Sequence, residues 1–236
     1  MGFELNDRVV ALNVQLQAFM DKHIYPREHD WHEWCLDQDN LWVTPPWFDE
    51  LRELAKAEGL WNLFLPREYA PWSPGLSNVE IAPLFETMSK VLWAQPVFNC
   101  NAPDRGNMEV LAKYGTEAQQ KQWLDPLLAG EIRSAYAMTE PQVASSDATN
   151  MELEITRDGD EYVLNGRKWW TTGAINPRCK IMLVMGKSNP ENPRHRQHST
   201  ILVPRDTPGI TLVRPLRVFD SLHSPGGEAE LLFENV

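Results

Sequence analysis

The chain has 236 residues, 42% of them hydrophobic, and carries 22 basic residues against 33 acidic ones for a net charge of −11. That length and apolar content suffice for one large domain or two ordinary ones with real cores. Acidity without any basic block excludes a reader of phosphate backbones, so no nucleic-acid partner is expected. No apolar run is long enough for a transmembrane segment, and the start, MGFELNDRVV, lacks the basic and apolar regions of a signal peptide, which points to a cytoplasmic protein. Cys35, Cys100 and Cys179 lie far apart with no CxxC, which fits a reducing compartment and packing roles rather than disulfides or zinc.

The apolar residues Leu5, Val9, Leu12, Leu16 and Phe19 trace one face of a helix that should end near Ile24, ahead of Pro26. The stretch His29 to Pro46 has no clear period and reads as an irregular loop. A second helix begins at Trp47, carries Leu51, Leu54 and Ala55, and stops at Gly59. Ser77 caps a third, which carries Val79, Ala82, Phe85 and Met88, with Glu80 placed for a capping box. Met108 to Tyr114 is a further helix ending at Gly115, and Thr116 caps the segment EAQQKQWLDPLLAGE.

After Arg133 the pattern changes to strands. MELEIT alternates, the chain turns at Asp158-Gly159, YVLN alternates again, Gly166 reads as a turn, and Trp169 to Thr172 reads as strand. IMLVMG, STILVP, ITLVRP and AELLFENV are further strands. The expected architecture is α+β: an all-helical N-terminal domain over residues 1–134, then an antiparallel β-barrel domain over 135–236.

Two stretches carry chemistry. AMTEPQVASSD, at the change from helix to strand, clusters short hydroxyl side chains around Pro141. Such groups can be aimed at the carbonyls and ring nitrogens of a heterocycle or at a phosphate, although a capped linker is the plainer reading of these residues alone. KWWTTG, read as strand, places Trp170 and Thr172 on one face, where a flat ring beside a hydroxyl suits a planar cofactor. Its bland alternative is a buried Trp pair in an ordinary strand.

AYAMTEPQVASSDATN followed by VLNGRKWWTTG, with YGTEAQQKQWLDPLLAGE upstream and VPRDTPGI downstream, resembles the acyl-CoA dehydrogenase family in the right order over most of the chain. The resemblance implies a helical N-terminal domain, a middle β-barrel domain and an FAD cofactor lying against the barrel, in an enzyme of fatty-acid oxidation. By matching position it implies that Tyr136, Met138 and Thr139 hold the pyrimidine side of the flavin and that Ser145 or Ser146 meets its diphosphate. Trp170 and Thr172 then sit near its central ring. It also implies an acyl-CoA substrate, an electron-acceptor flavoprotein as partner, and a homo-oligomer for a full-length subunit.

The chain departs from the family pattern at QVASSD, one residue longer than the usual Gly-rich loop, which leaves the choice between Ser145 and Ser146 open. The resemblance implies a third, helical domain after LLFENV, which this chain is expected to lack and which carries the Glu that removes the α-proton. No catalytic residue is therefore assigned, and this piece alone is expected to have little dehydrogenase activity. Two other function classes remain: a flavin oxidase or monooxygenase of the same superfamily, and a non-catalytic module that binds acyl-CoA or a partner. His23, His29 and His32 read as exposed polar residues rather than metal ligands, and the basic run from Pro193 to His198 reads as a solvated loop. There is no GxGxxG after a strand, no GxxxxGK[ST] and no GxSxG, so Rossmann, P-loop and serine-hydrolase readings have no support.

Overall fold

In the computed structural model, residues 5–37, 41–219, 221–222 and 226–236 are described. The chain divides into two compact units, Met1–Gly130 and Glu131–Val236.

The first unit is helical: α1 (Asp7–Phe19), α2 (Glu28–Leu36), α3 (Trp47–Ala57), α4 (Asn78–Met88), α5 (Asp104–Tyr114), α6 (Glu117–Gln119) and α7 (Asp125–Ala129). The Asn6 side chain caps α1, and the buried face carries Val9, Leu16 and Phe19 as the spacing requires. Pro26 does not end this segment. A π-helical turn (Met20–Ile24) and a 3-10 turn (Tyr25–Arg27) absorb it at a position where its missing N–H is not needed. The chain then forms α2, where the sequence predicts a loop.

Tertiary contact explains that difference. Trp31 on α2 stacks on Trp93 with ring centroids 5.4 Å apart and also meets Trp47 and Phe48, while Arg27 lies over the Trp47 ring. Aromatic contacts from elsewhere in the chain hold a segment that has no apolar period of its own. His29 and His32 are exposed on this helix.

The C-terminus of α7 leaves carbonyls that distant side chains satisfy. Trp61 Nε1 and Asn62 Nδ2 donate to Leu128 O, Asn99 Nδ2 donates to Leu127 O at 2.9 Å, and buried Arg52 donates to Gly130 O at 2.6 Å. Gly130 ends the helix with φ +74°, and an added Cβ there would strike Arg52 and Trp61.

The predicted capping box of Ser77 with Glu80 forms on α4, and the predicted cap Thr116 forms a second box with Gln119 on α6. Glu80 does more than cap its own helix: its carboxylate accepts from Ser77 N, Ser77 Oγ, Asn6 Nδ2 and Arg67 Nη2. It thereby ties α4 to the start of α1.

The second unit contains β1 (Arg133–Ala137), β2 (Glu154–Asp158), β3 (Glu161–Lys168), β4 (Cys179–Lys187), β5 (His198–Pro204), β6 (Ile210–Leu216) and β7 (Glu228–Phe233). They form one curled sheet in the order β1-β4-β2-β3-β7-β6, with β5 paired to β4. The sheet is mixed, which corrects the expectation of an antiparallel barrel: β1 runs parallel to β4, and β2 meets β4 in parallel at Glu154 and Lys187. A hairpin can join only antiparallel neighbours, and β1 reaches β4 through a crossover in which β2 and β3 intervene. Ala135, Ala137, Leu153, Leu164, Val184, Ala229, Leu231 and Phe233 are among the side chains of its core.

Two further local expectations fail. Gly166 is not a turn but lies inside β3, opposite Phe233, with φ +151°; an added Cβ would stand 2.8 Å from Leu153 Cα, so only glycine permits the close backbone approach. Trp169 to Thr172 is not strand. β3 stops at Lys168, and Trp170 adopts a left-handed backbone conformation with φ +50°.

The hydrogen bonds from Ser77, first among its causes, hold the Glu80 carboxyl down at about 2, against an ordinary value of 4.5. A depressed carboxylate contributes stability that is present above its unfolded value and lost as the pH falls through its folded one. Thermal unfolding of Glu80→Gln against the parent is expected to show a melting-temperature gap at pH 7 that narrows from pH 4.5 down toward pH 2. A gap constant with pH would contradict the assignment.

Candidate functional site

The candidate site is built in the second unit where the chain leaves β1 and where it leaves β3. From Met138 to Asp147 the backbone has no regular structure, so other groups must supply its hydrogen-bond partners. A buried ion pair does so. Lys168 Nζ lies 2.8 Å from Glu140 Oε1, with both side chains almost fully buried. The same ammonium donates to Met138 O at 2.7 Å. The carboxylate also accepts from the backbone N–H groups of Glu152 (2.7 Å) and Leu153 (2.8 Å). One pair of side chains therefore pins the loop after β1, the entry to β2 and the end of β3. Burial pushes the Lys168 ammonium down from its ordinary value, opposed by the hydrogen bond and charge of Glu140.

The predicted hydroxyl residues gather around this pair, in unlike roles. Thr139 is half-buried, accepts Trp169 N–H on its carbonyl at 2.9 Å, and donates its hydroxyl to Trp169 O at 3.1 Å. Ser145 is buried; its Oγ accepts from Glu140 N and donates to Glu140 O, so its hydroxyl closes the loop on itself. Ser146 is exposed, and no side-chain hydrogen bond engages it among the described residues. Tyr136 is half-buried on β1, its hydroxyl directed at Met185 Sδ at 3.7 Å, and the Met138 carbonyl is taken by Lys168.

Beyond Lys168 the chain is fastened on both sides of Trp170. Trp169 is tied to Thr139, while Thr171 N–H donates to Ala229 O (3.1 Å) and Gly173 N–H to Gly227 O (2.9 Å). Between these anchors Trp170 is held in the left-handed region and stays 43% exposed, its ring 5.8 Å from that of Trp169. A bulky residue there costs on the order of 1–3 kcal/mol and persists only where the surroundings over-determine it. Thr172 donates its hydroxyl to Glu228 Oε2 at 2.7 Å. Thr171 Oγ1 is buried with no hydrogen-bond partner among the described residues.

Glu140, Lys168 and Glu228 were missed as site-building residues when the motifs were read as sequence. A signal existed: a glutamate inside TEP and a lysine inside KWWTTG are opposite charges embedded among apolar neighbours. The basic run from Pro193 stays on the surface, with Arg194, His195 and Arg196 all exposed and Arg194 paired 3.3 Å from Asp147.

A helical unit is thus followed by a curled mixed sheet, with the loop after β1 and the exit of β3 fastened to each other. The family model of the acyl-CoA dehydrogenase N-terminal domain matches residues 7–131, and that of the middle domain matches residues 135–236. The chain belongs to the acyl-CoA dehydrogenase family. It is 51% identical over 235 residues to acyl-CoA dehydrogenase family member 10 of Mus musculus, covering 98% of this chain and 22% of that protein. It is 48% identical over 238 residues to a probable acyl-CoA dehydrogenase of Mycobacterium tuberculosis, covering all of this chain and 57% of the relative. The solved structure of a putative acyl-CoA dehydrogenase from Mycobacterium abscessus superposes with a TM-score of 0.93 at 47% identity, over 99% of this chain and 59% of that one. The chain therefore spans only part of the length of these relatives. Among the described residues no helix is long and apolar enough to cross a membrane.

Replacing one member of a buried ion pair leaves the other uncompensated, which costs about 3–5 kcal/mol. Lys168→Met is expected to lose that much in urea unfolding. The double variant Lys168→Met, Glu140→Gln is expected to lose less than the two single losses added together. Additive losses would show that the two charges do not act as a pair.

Proposed function

We propose that the chain is the flavin-holding part of an FAD-dependent acyl-CoA dehydrogenase that introduces the α,β double bond into acyl-CoA thioesters. The observation that carries this reading is Trp170, a large flat side chain kept exposed at a strained backbone angle by hydrogen bonds on either side. Strain of this kind collects where a ligand is bound.

The residues present fit FAD in their donor chemistry. Trp170 offers an apolar plane; Ser146 offers an uncommitted hydroxyl, while Thr139 and Thr172, whose hydrogens go to Trp169 O and Glu228, offer acceptor lone pairs; and β1 pairs only with β4, leaving its other edge without a strand among the described residues. Between the two serines, exposed Ser146 is the better candidate for the diphosphate, because Ser145 spends its hydroxyl on Glu140. FAD, when bound, supplies the acceptor for the hydride that leaves the β-carbon of the thioester. The chain's own part is to orient the ring, keep its polar edge hydrogen-bonded and exclude water from one face. We assign the removal of the α-proton to no carboxylate of this chain: Glu140 is committed to Lys168 and Glu230 to Arg167 and Arg214. An electron-acceptor flavoprotein reoxidises the cofactor in this reading.

Visible absorption after incubation with FAD and desalting tests the site without presuming a substrate. Trp170→Gly and Trp170→Ala are both expected to weaken FAD binding about tenfold, each having lost the ring. Glycine accepts a positive φ without strain, so Trp170→Gly should be about 1 kcal/mol more stable than Trp170→Ala in urea unfolding. Flavin retained equally by parent and both variants would overturn the placement of Trp170.

A further inference from the structure

The contact between Thr172 and Glu228 is set by main-chain register rather than by chance meeting of two flexible groups. Thr171 N–H bonds to Ala229 O and Gly173 N–H to Gly227 O, so the hydrogen bonds of its two neighbours bracket Thr172 and align it with Glu228. Its other branch is confined as well: a Cβ added to Gly226 would stand 3.1 Å from Thr172 Cγ2, so the methyl group packs closely against Gly226. With the methyl against Gly226 and Oγ1 against Glu228 Oε2 at 2.7 Å, the side chain is held in one rotamer.

β7 shows that Glu228 is placed for this contact. Ala229, Leu231 and Phe233 belong to the core of the sheet, so Glu228 and Glu230 lie on the opposite face. Glu230 is buried and held by two arginines, Arg167 at 3.1 Å and Arg214 at 2.7 Å. Glu228, two residues away, takes the hydroxyl of Thr172 instead.

A hydroxyl has one hydrogen to give. A carboxylate is the stronger acceptor, so Glu228 takes that hydrogen and leaves Thr172 Oγ1 only lone pairs for anything on its other side. We propose that Glu228 is a positioning residue that makes Thr172 an obligate hydrogen-bond acceptor toward the cofactor and thereby favours reduced over oxidised flavin. The inference rests on the flavin reading above. An oxidised flavin ring presents unprotonated nitrogens that need a donor, whereas the reduced ring carries an added N–H that needs an acceptor. A threonine committed to Glu228 matches the second state.

The charge of Glu228 acts on the flavin too, so the test must separate charge from hydrogen bond. A double-mutant cycle on the reduction potential of FAD bound to the whole chain does this. Thr172→Val is expected to lower the preference for reduced flavin by three- to tenfold, the latter being about 30 mV for a two-electron couple. Glu228→Leu is expected to change the preference differently in the parent and in a Thr172→Val background, by at least threefold, because only the parent has a hydroxyl to release. Glu228→Gln, which keeps an accepting oxygen and loses the charge, should shift both backgrounds alike, and Glu228→Ala, which removes the acceptor as leucine does, serves if the leucine variant does not fold. Additive effects of Thr172→Val and Glu228→Leu, with flavin retained throughout, would overturn the role of Glu228 and leave the flavin site standing. A parent chain that retains no flavin would overturn both.

Discussion

The second unit depends on a buried ion pair between groups 28 residues apart in the chain, Glu140 and Lys168. Taking two charges out of water is costly, and the attraction between them repays that cost only when their remaining hydrogen-bonding capacity is filled. Here it is filled with backbone. The carboxylate takes the N–H groups of Glu152 and Leu153, and the ammonium takes the Met138 carbonyl. A loop that would otherwise carry unsatisfied peptide groups through the interior is thereby fixed, and so are the two places where candidate ligand groups leave the sheet. Conformational specificity is the service such a pair best renders, because any other loop path strands a charge.

What the pair fixes is put to use a few residues away. Thr139 and Trp169 are joined twice, and from that joint the chain carries Trp170 outward at a backbone angle that indole side chains seldom adopt. Residues on the other flank, Thr171 and Gly173, lock onto β7. The strain is sustained because both flanks are hydrogen-bonded, one to Thr139 and the other to β7 and the residue before it. Glycine is needed at Gly166 for a related reason, since the backbone of Leu153 approaches too closely there for a Cβ.

The helical unit solves a different problem by similar means. Its short helices end where their last carbonyls or first N–H groups need partners, and these come from Asn6, Arg52, Trp61, Asn62, Ser77, Asn99 and Thr116. The aromatic group of Trp31, Trp47, Phe48 and Trp93 then supplies the contact that α2 lacks in its own sequence. Several of the chain's ten tryptophans are accounted for in this way.

Local rules sufficed wherever the information is local. A capping box is a contact between residues three apart, so Ser77 and Thr116 announce α4 and α6, and period-two alternation marks the segments that form β2 and β3. The hydroxyl loop stood out because its composition suits no regular element, whereas KWWTTG reads as strand and singled itself out by a flat ring beside a hydroxyl. Other features required the folded chain. Whether β1 pairs parallel or antiparallel depends on which strand lies beside it, and that neighbour, β4, begins only at Cys179. Trp170 leaves the strand geometry its composition favours because hydrogen bonds to Thr139 and β7 override local propensity. Of two adjacent serines, tertiary contact buries one against Glu140 and leaves the other exposed. The sequence by itself thus determined which residues can bond, cap and stack, since those are properties of each side chain and its near neighbours. Only the tertiary structure decided which of them do, because a hydrogen bond or an ion pair needs a partner within about 3 Å, and distant segments reach that distance only when the fold brings them together.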